Sequence, residues 1–485
     1  MRAVLLSALA LVAGASAHIG RPRHGCTESH LLAKRQGGTV ASESQLTNPT
    51  QECTAYSVPG IDANFLKLFP QPWTVTPAEI LAGDNEALQY MQGINASGVI
   101  PTSIGVRGAQ NEQAWAGAGL AGTYDIPGDP DCWWTDKGCT TPKHPNLIAD
   151  VETCPEPETW GYSVDDGPNC TQNALYDFWK QQNQKVSLMF IGSNVVNWPL
   201  QAQRAITDGH HVCAHTWSHK YMTSLTTDQA FAELWYTIKA IKYVMGITPT
   251  CWRPPYGDVD DRIRGIAQGL GLRTIMWSHD TNDYNIQPYG AQPTASIQAN
   301  YQSIEAVGSS PAAATGGIIV LQHELEDAVM SLAIAEYPNI KKNFKSIVPV
   351  NTCLNITKPY YEDYTFPDFE DYVGGKIDPS PSGQSSIAIG STSYTITPLT
   401  YAASSSAAGS VGTAAAAGGS SSAATSAFSA PTAPGATPVN TAGAAAATVI
   451  SSQQAGSSSK SSGAAVTLVP GLFVFVAALV GAALC

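Results

Sequence analysis

Two imidazoles four residues apart, in His215-Thr216-Trp217-Ser218-His219, end the apolar run Val212-Cys213-Ala214. Nitrogen ligands at that spacing can close on one metal ion when a carboxylate arrives from elsewhere in the fold. Alone the pair carries little weight, because HxxxH recurs by chance with one histidine exposed and the other hydrogen-bonded. Its company changes the reading. Ser163-Val164-Asp165-Asp166-Gly167 precedes it, and Arg253-Pro254-Pro255-Tyr256-Gly257, Asp280 and Leu321-Gln322-His323 follow it. The set adds carboxylates, one of which could complete a metal site, with a guanidinium and a further imidazole. Taken singly, Asp165-Asp166-Gly167 reads as a turn, Arg253 as a surface cation and His323 as a structural histidine. The order of the set speaks for chemistry.

The elements that must position these residues are short apolar runs alternating with helix-like stretches from about Thr159 to Val350. The runs are Trp160 to Val164, Val186 to Ile191, His211 to Ala214, Thr250 to Trp252, Thr274 to Trp277 and Gly317 to Leu321. Cys170 to Gln182, Trp198 to Asp208, Thr227 to Met245 and Asp260 to Leu270 are expected helices between them. Most runs end, on the C-terminal side, in Asp165-Asp166, His215, Arg253, Asp280 or His323. In a parallel β/α barrel those ends converge on one face, so groups spread over about 160 positions meet in one pocket.

Residues 36–157, rich in Gly, Pro and Trp, read as an extension packed on this domain, with a short helix expected at Pro77-Ala78-Glu79-Ile80-Leu81. Trp133 and Trp134 there serve either the core or the wall of a groove. The ends read as processing signals. Met1-Arg2, the apolar run to Ala13 and Ala15-Ser16-Ala17 form an export signal over 1–17, and Lys34-Arg35 is a dibasic site that would release 18–35. Residues 351–378 are a C-terminal extension of the 158–350 domain. Beyond Asp378 the only charge is Lys460, and the Ser/Ala/Thr-rich stretch 379–456 reads as a glycosylated stalk. The apolar tail within 457–485, with small residues Gly456, Ser457 and Ser458 before it and no basic residue after it, has the layout of a GPI-anchor signal. A transmembrane helix is the alternative, since about 20 apolar residues span a bilayer.

Sequons at Asn95, Asn169 and Asn355 and ten cysteines agree with export to an oxidising compartment. Once Cys26 and Cys485 leave with the ends, eight cysteines remain, and on the order of a hundred pairings are open. Cys132 with Cys139 is the expected local loop. A formal charge of −13 excludes a nucleic-acid binder, whose affinity rests on cationic side chains. It permits a neutral or cationic partner.

The five ordered motifs resemble the family four carbohydrate esterases, the polysaccharide deacetylases with a nodulation-protein-B-like domain, and among them the fungal chitin deacetylases. The resemblance covers about Thr159 to Val350 and implies an α/β fold, a distorted and incomplete (β/α) barrel. It implies that Asp166, His215 and His219 hold one divalent metal ion, zinc with cobalt as the alternative, that Asp165 is the base, and that Arg253 fixes Asp165. His323 would protonate the departing amine with Asp280 orienting it. The Tyr256 backbone amide would be an oxyanion donor, and Trp277 and Leu321 would line the acetyl pocket. Cys154 would pair with Cys353. The implied reaction is deacetylation of N-acetylglucosamine units in chitin or chito-oligosaccharides, by a monomer anchored through GPI lipid within the chitin and glucan wall. A deacetylase of another acetylated polysaccharide, or a wall mannoprotein that only binds glycan, are the alternatives. Two features depart from the family pattern: Ser163-Val164 before the aspartate pair, and Tyr284 after Asp283.

Overall fold

A computed structural model describes residues 35–36, 38–71, 76–107 and 127–380. The expected leader, stalk and anchor signal, including Gly456, Ser457 and Ser458, lie outside the described residues. Among the described residues no helix is long and apolar enough to cross a membrane.

Nine strands form one sheet: β1 (Thr153–Cys154), β2 (Thr159–Asp165), β3 (Ser187–Phe190), β4 (His211–Ala214), β5 (Cys251–Trp252), β6 (Arg273–Thr274), β7 (His279–Asp280), β8 (Gly317–His323) and β9 (Ser346–Pro349). The main order is β1-β8-β2-β3-β4-β5-β6, with β9 paired to the first half of β2 and β7 to β8. Every pairing is parallel except β1 with β8. All residues of β2, β3, β4 and β8 are buried, as befits parallel strands covered on both faces. The sheet curls into an incomplete barrel. A segment from outside the repeat bridges the gap: Val151 pairs with Ile275 just beyond β6, while Thr153 and Cys154 pair with the start of β8.

Between the strands run α2 (Asn173–Gln181), α3 (Pro199–Thr207), α4 (Thr227–Met245), α5 (Asp261–Gly269), α6 (Thr294–Val307) and α7 (Asp327–Asn343), after α1 (Asn85–Ser97) in the extension. Helix α4 starts on a capping box, in which Thr226 and Gln229 each accept the other's backbone N–H, and ends on Gly246 at φ 74°. Asp260 caps α5 by accepting from Ile263 N at 3.0 Å.

Two expectations need correction. The strand foreseen over Thr274 to Trp277 pairs regularly only at Arg273–Thr274; Ile275 still donates to Trp252 O at 2.9 Å, while Val151 bridges the opposite edge through Thr274 O and Met276 N. Residues 77–81 are not helical. Their amides are used on α4, Ala78 N donating to Glu233 Oε1 at 2.7 Å and Leu81 N to the Tyr236 hydroxyl at 2.9 Å, so docking overrides local propensity.

Four disulfides pair the eight cysteines. Cys132–Cys139 and Cys154–Cys353 are those expected; Cys53–Cys170 fastens the extension beside β2, and Cys213–Cys251 joins β4 to β5. The extension also packs non-covalently, Phe69 lying flat on Trp217 with centroids 5.3 Å apart.

Glu233 ties the extension to the HxxxH loop. Fully buried, it accepts Ser218 N at 2.8 Å and Ser218 Oγ at 2.6 Å besides Ala78 N. Burial raises its pKa against the lowering effect of these donors. Glu233→Ala strands the buried Ala78 N–H and two part-buried donors of Ser218, at about 1–3 kcal/mol for a buried donor, so a loss of roughly 3 kcal/mol in the denaturant midpoint analysis is expected. Glu233→Gln, which keeps one acceptor, is expected to lose about half that.

Candidate metal and acid–base site

Strands β2, β4, β5 and β8 deliver their C-terminal residues to one face. Asp165 ends β2, and Asp166 follows with φ 79°, its N–H donating to Met189 O at 3.1 Å. His215 follows β4 and is held by its own N–H on Phe190 O at 2.8 Å. Left-handed φ values at Thr216 (63°) and His219 (56°) turn the loop back. Non-glycine residues in this region cost energy and persist where surrounding structure over-determines them.

One nitrogen or oxygen from each of Asp166, His215 and His219 lies within 4.8 Å of the others. His219 Nε2 is 3.1 Å and His215 Nε2 3.5 Å from Asp166 Oδ1. The donor set fits a divalent ion. His215 Nδ1 lies 2.8 Å from Arg253 O, and a carbonyl only accepts, so Nδ1 carries the proton and neutral Nε2 offers a lone pair toward Asp166. A second cluster, His211 with Cys213 and Cys251, is occupied by the disulfide between its sulfurs.

Asp165 is placed beside this set and bound to Arg253. Nη1 donates to Asp165 Oδ1 at 2.6 Å, Nη2 to Ser163 Oγ at 2.9 Å and Met276 O at 3.1 Å, and Nε to Ile275 O at 3.2 Å. Ser163, a departure from the family pattern, thus has a use: it accepts from Arg253 and donates to Val320 O at 2.7 Å.

His323 lies level with Asp165 in the sheet register. Its orienting carboxylate is Asp283, which accepts His323 N at 2.9 Å through Oδ2 and contacts Nδ1 at 2.6 Å through Oδ1. Burial works against charge on this imidazole, but Asp283, backed by Asp166 and Asp165, outweighs it and raises the pKa to about 9. Asp280, expected in that role, is exposed and accepts Asn282 N at 2.8 Å. Asn282 at φ 58° turns the chain between the two aspartates, so the later one reaches back under β8. The sequence offered both, three residues apart.

Tyr256 sits at φ 59° in the turn after Arg253, its ring 41% exposed and its hydroxyl 3.2 Å from His219 Nδ1. Trp277 is half-buried, its ring 5.6 Å from the Arg253 guanidinium carbon and 4.8 Å from Trp134. Leu321 is buried on β8, in register with Ser163 and Asp280. The extension's two tryptophans divide: Trp133 is buried and donates to Asp258 Oδ1 at 2.9 Å, while Trp134 packs on Trp277. A groove of about 290 Å³ opens at Asp166, walled by Pro49 and Thr50 of the extension, Asn194, Trp198, Tyr289 and Asp327. Asn95 and Asn355 are exposed; Asn169 lines this groove, half-buried, its amide nitrogen bonded to Leu325 O at 2.5 Å.

The polysaccharide deacetylase family model matches residues 152–275. Chitin deacetylase 2 of Cryptococcus neoformans var. grubii is 44% identical over 381 residues, which cover 77% of this chain and 82% of that protein. Chitin deacetylase of Amylomyces rouxii is 43% identical over 321 residues, covering 65% and 73%. With the family model matched across the aspartate pair, the HxxxH loop and Arg253, and with relatives this similar along most of their length, the chain belongs to the polysaccharide deacetylases.

Proposed function

We propose that this chain removes N-acetyl groups from N-acetylglucosamine units of chitin, leaving glucosamine units and acetate. The observation that carries the reading is one face that gathers a carboxylate with two imidazoles, an arginine-held carboxylate and an aspartate-held imidazole. Two relatives at 43% and 44% identity bear the name chitin deacetylase, which supports this substrate.

Asp166, His215 and His219 would hold a divalent ion, zinc by the preference of two imidazoles and a carboxylate, with cobalt the alternative. Once bound, such an ion polarises the amide carbonyl and lowers the pKa of water. Asp165 accepts the proton of the attacking water, its orientation set by Arg253. His323, cationic at neutral pH, gives its proton to the departing nitrogen, which leaves as a neutral amine. The Tyr256 backbone amide donates to the developing oxyanion, and Trp277 with Leu321 flanks the acetyl methyl. Asp280 adds negative charge at the rim. The leader-like start, the Ser/Ala/Thr-rich stretch and the apolar tail of the sequence support export of a monomeric enzyme to the outer face of the plasma membrane, facing the wall. Asn95 and Asn355 carry glycans.

Acetate release from an N-acetylglucosamine oligomer by the folded protein should vanish with chelator and return with zinc. Release indifferent to chelator would sink the metal reading; faster release from acetylxylan would sink the chitin reading.

Asp165→Asn is expected to keep zinc while losing about 10²–10⁴ in kcat. His215→Ala should lose both, and equilibrium dialysis against zinc separates the two.

The pH dependence follows from His323. An imidazole whose pKa is raised is protonated below that value, so activity falls as pH rises through it. A bound cation offsets the help of Asp165 and Asp166, placing the alkaline limb between the ordinary value of about 6.5 and about 9. Asp283→Asn removes the largest raising influence and should move the limb to about 6.5 or below in a kcat/KM profile. Asp280→Asn should move it far less.

A further inference from the structure

His215 and His219 are supported in different ways. The proton on His215 Nδ1 goes to the Arg253 carbonyl, a backbone group that persists whatever side chain stands at 253. His219 stands farther out, on a loop at φ 56°, and the nitrogen turned from Asp166 meets the Tyr256 hydroxyl at 3.2 Å. The two rings meet edge-on, centroids 4.7 Å apart at 65°. Tyr221 lies against the Tyr256 ring, centroids 4.0 Å apart and planes within 14°.

We propose that the Tyr256 side chain, backed by Tyr221, is a positioning element of the metal centre, fixing His219 with Nε2 toward Asp166. The inference rests on Asp166, His215 and His219 being the metal ligands. With Nε2 committed to a cation, the proton would reside on Nδ1 and donate to the phenol oxygen. The left-handed backbone conformation of Tyr256 projects the ring toward His219, and Tyr221, two residues beyond His219, closes the stack from the same loop. Neither phenol ring supplies a metal ligand.

The test is zinc affinity of the metal-stripped protein, by competition with a chromophoric chelator, with the cobalt absorption band as a report on coordination. Tyr256→Phe keeps the ring and the backbone amide but lacks the oxygen, and is expected to weaken zinc about 10–100-fold. Tyr221→Ala should weaken it several-fold and Tyr221→Phe should restore the parental value, because stacking needs only the ring. Unfolding midpoints of the metal-free variants are expected to match the parent; if Tyr221→Ala lowers its own, Tyr256→Phe decides alone. Affinity and cobalt spectrum unchanged in Tyr256→Phe, within about twofold of the parent, overturns the proposal while leaving the metal centre standing. A parent chain that takes up no zinc overturns the ligand assignment and this inference together.

Discussion

A single buried guanidinium organises this molecule. Arg253 is fully buried, and each of its donor nitrogens has a partner: a carboxylate and a hydroxyl from β2, and two carbonyls from the segment after β6. Its backbone N–H rests on Ala214 O, and its carbonyl orients His215. An unpaired cation at such depth would cost several kcal/mol, so the arrangement exists only with all partners in place. Lysine would bring the same charge without the planar fork that reaches them.

From that constraint follows the electrostatic division of the site. On one flank a carboxylate is bound by a guanidinium; on the other an imidazole is bound by a carboxylate that raises its pKa to about 9. Asp165 and His323 stand level in the sheet. Beside them, Asp166, His215 and His219 occupy the turn after β2 and the loop after β4. The disulfide between Cys213 and Cys251 ties the two strands that carry His215 and Arg253, each two residues downstream of its cysteine.

Much of this was legible in the sequence because strand ends announce themselves. Continuous apolar runs such as Trp160 to Val164 stop where a charged residue begins, and parallel pairing brings those stops together. Asp165, Asp166, His215, Arg253 and His323 were singled out in that way and His219 by its spacing from His215, and the fold brings them to one face. What was not legible depends on geometry made elsewhere. The choice of Asp283 over Asp280 is decided by a left-handed turn at Asn282, and two aspartates in one loop give no advance sign of it. Residues 77–81 lost their helix to Glu233 and Tyr236, partners more than 150 positions away. Ser163 looked like a mere variation until its hydroxyl met Arg253. Tyr221 carried no signal at all, for a stacked ring has no motif.

The place of β2 in the sheet sets a timetable for biosynthesis. Its seven residues are all destined for burial, yet its partners on either edge, β8 and β9, span Gly317 to Pro349 and emerge from the ribosome last. Until then the strand that ends in Asp165 has β3 on part of one edge and nothing on the other. Such an apolar, half-paired strand is prone to stick to other chains. A pause in translation between β3 and β8 would therefore prolong the exposure of that open edge, whereas one after Pro349 would leave it covered.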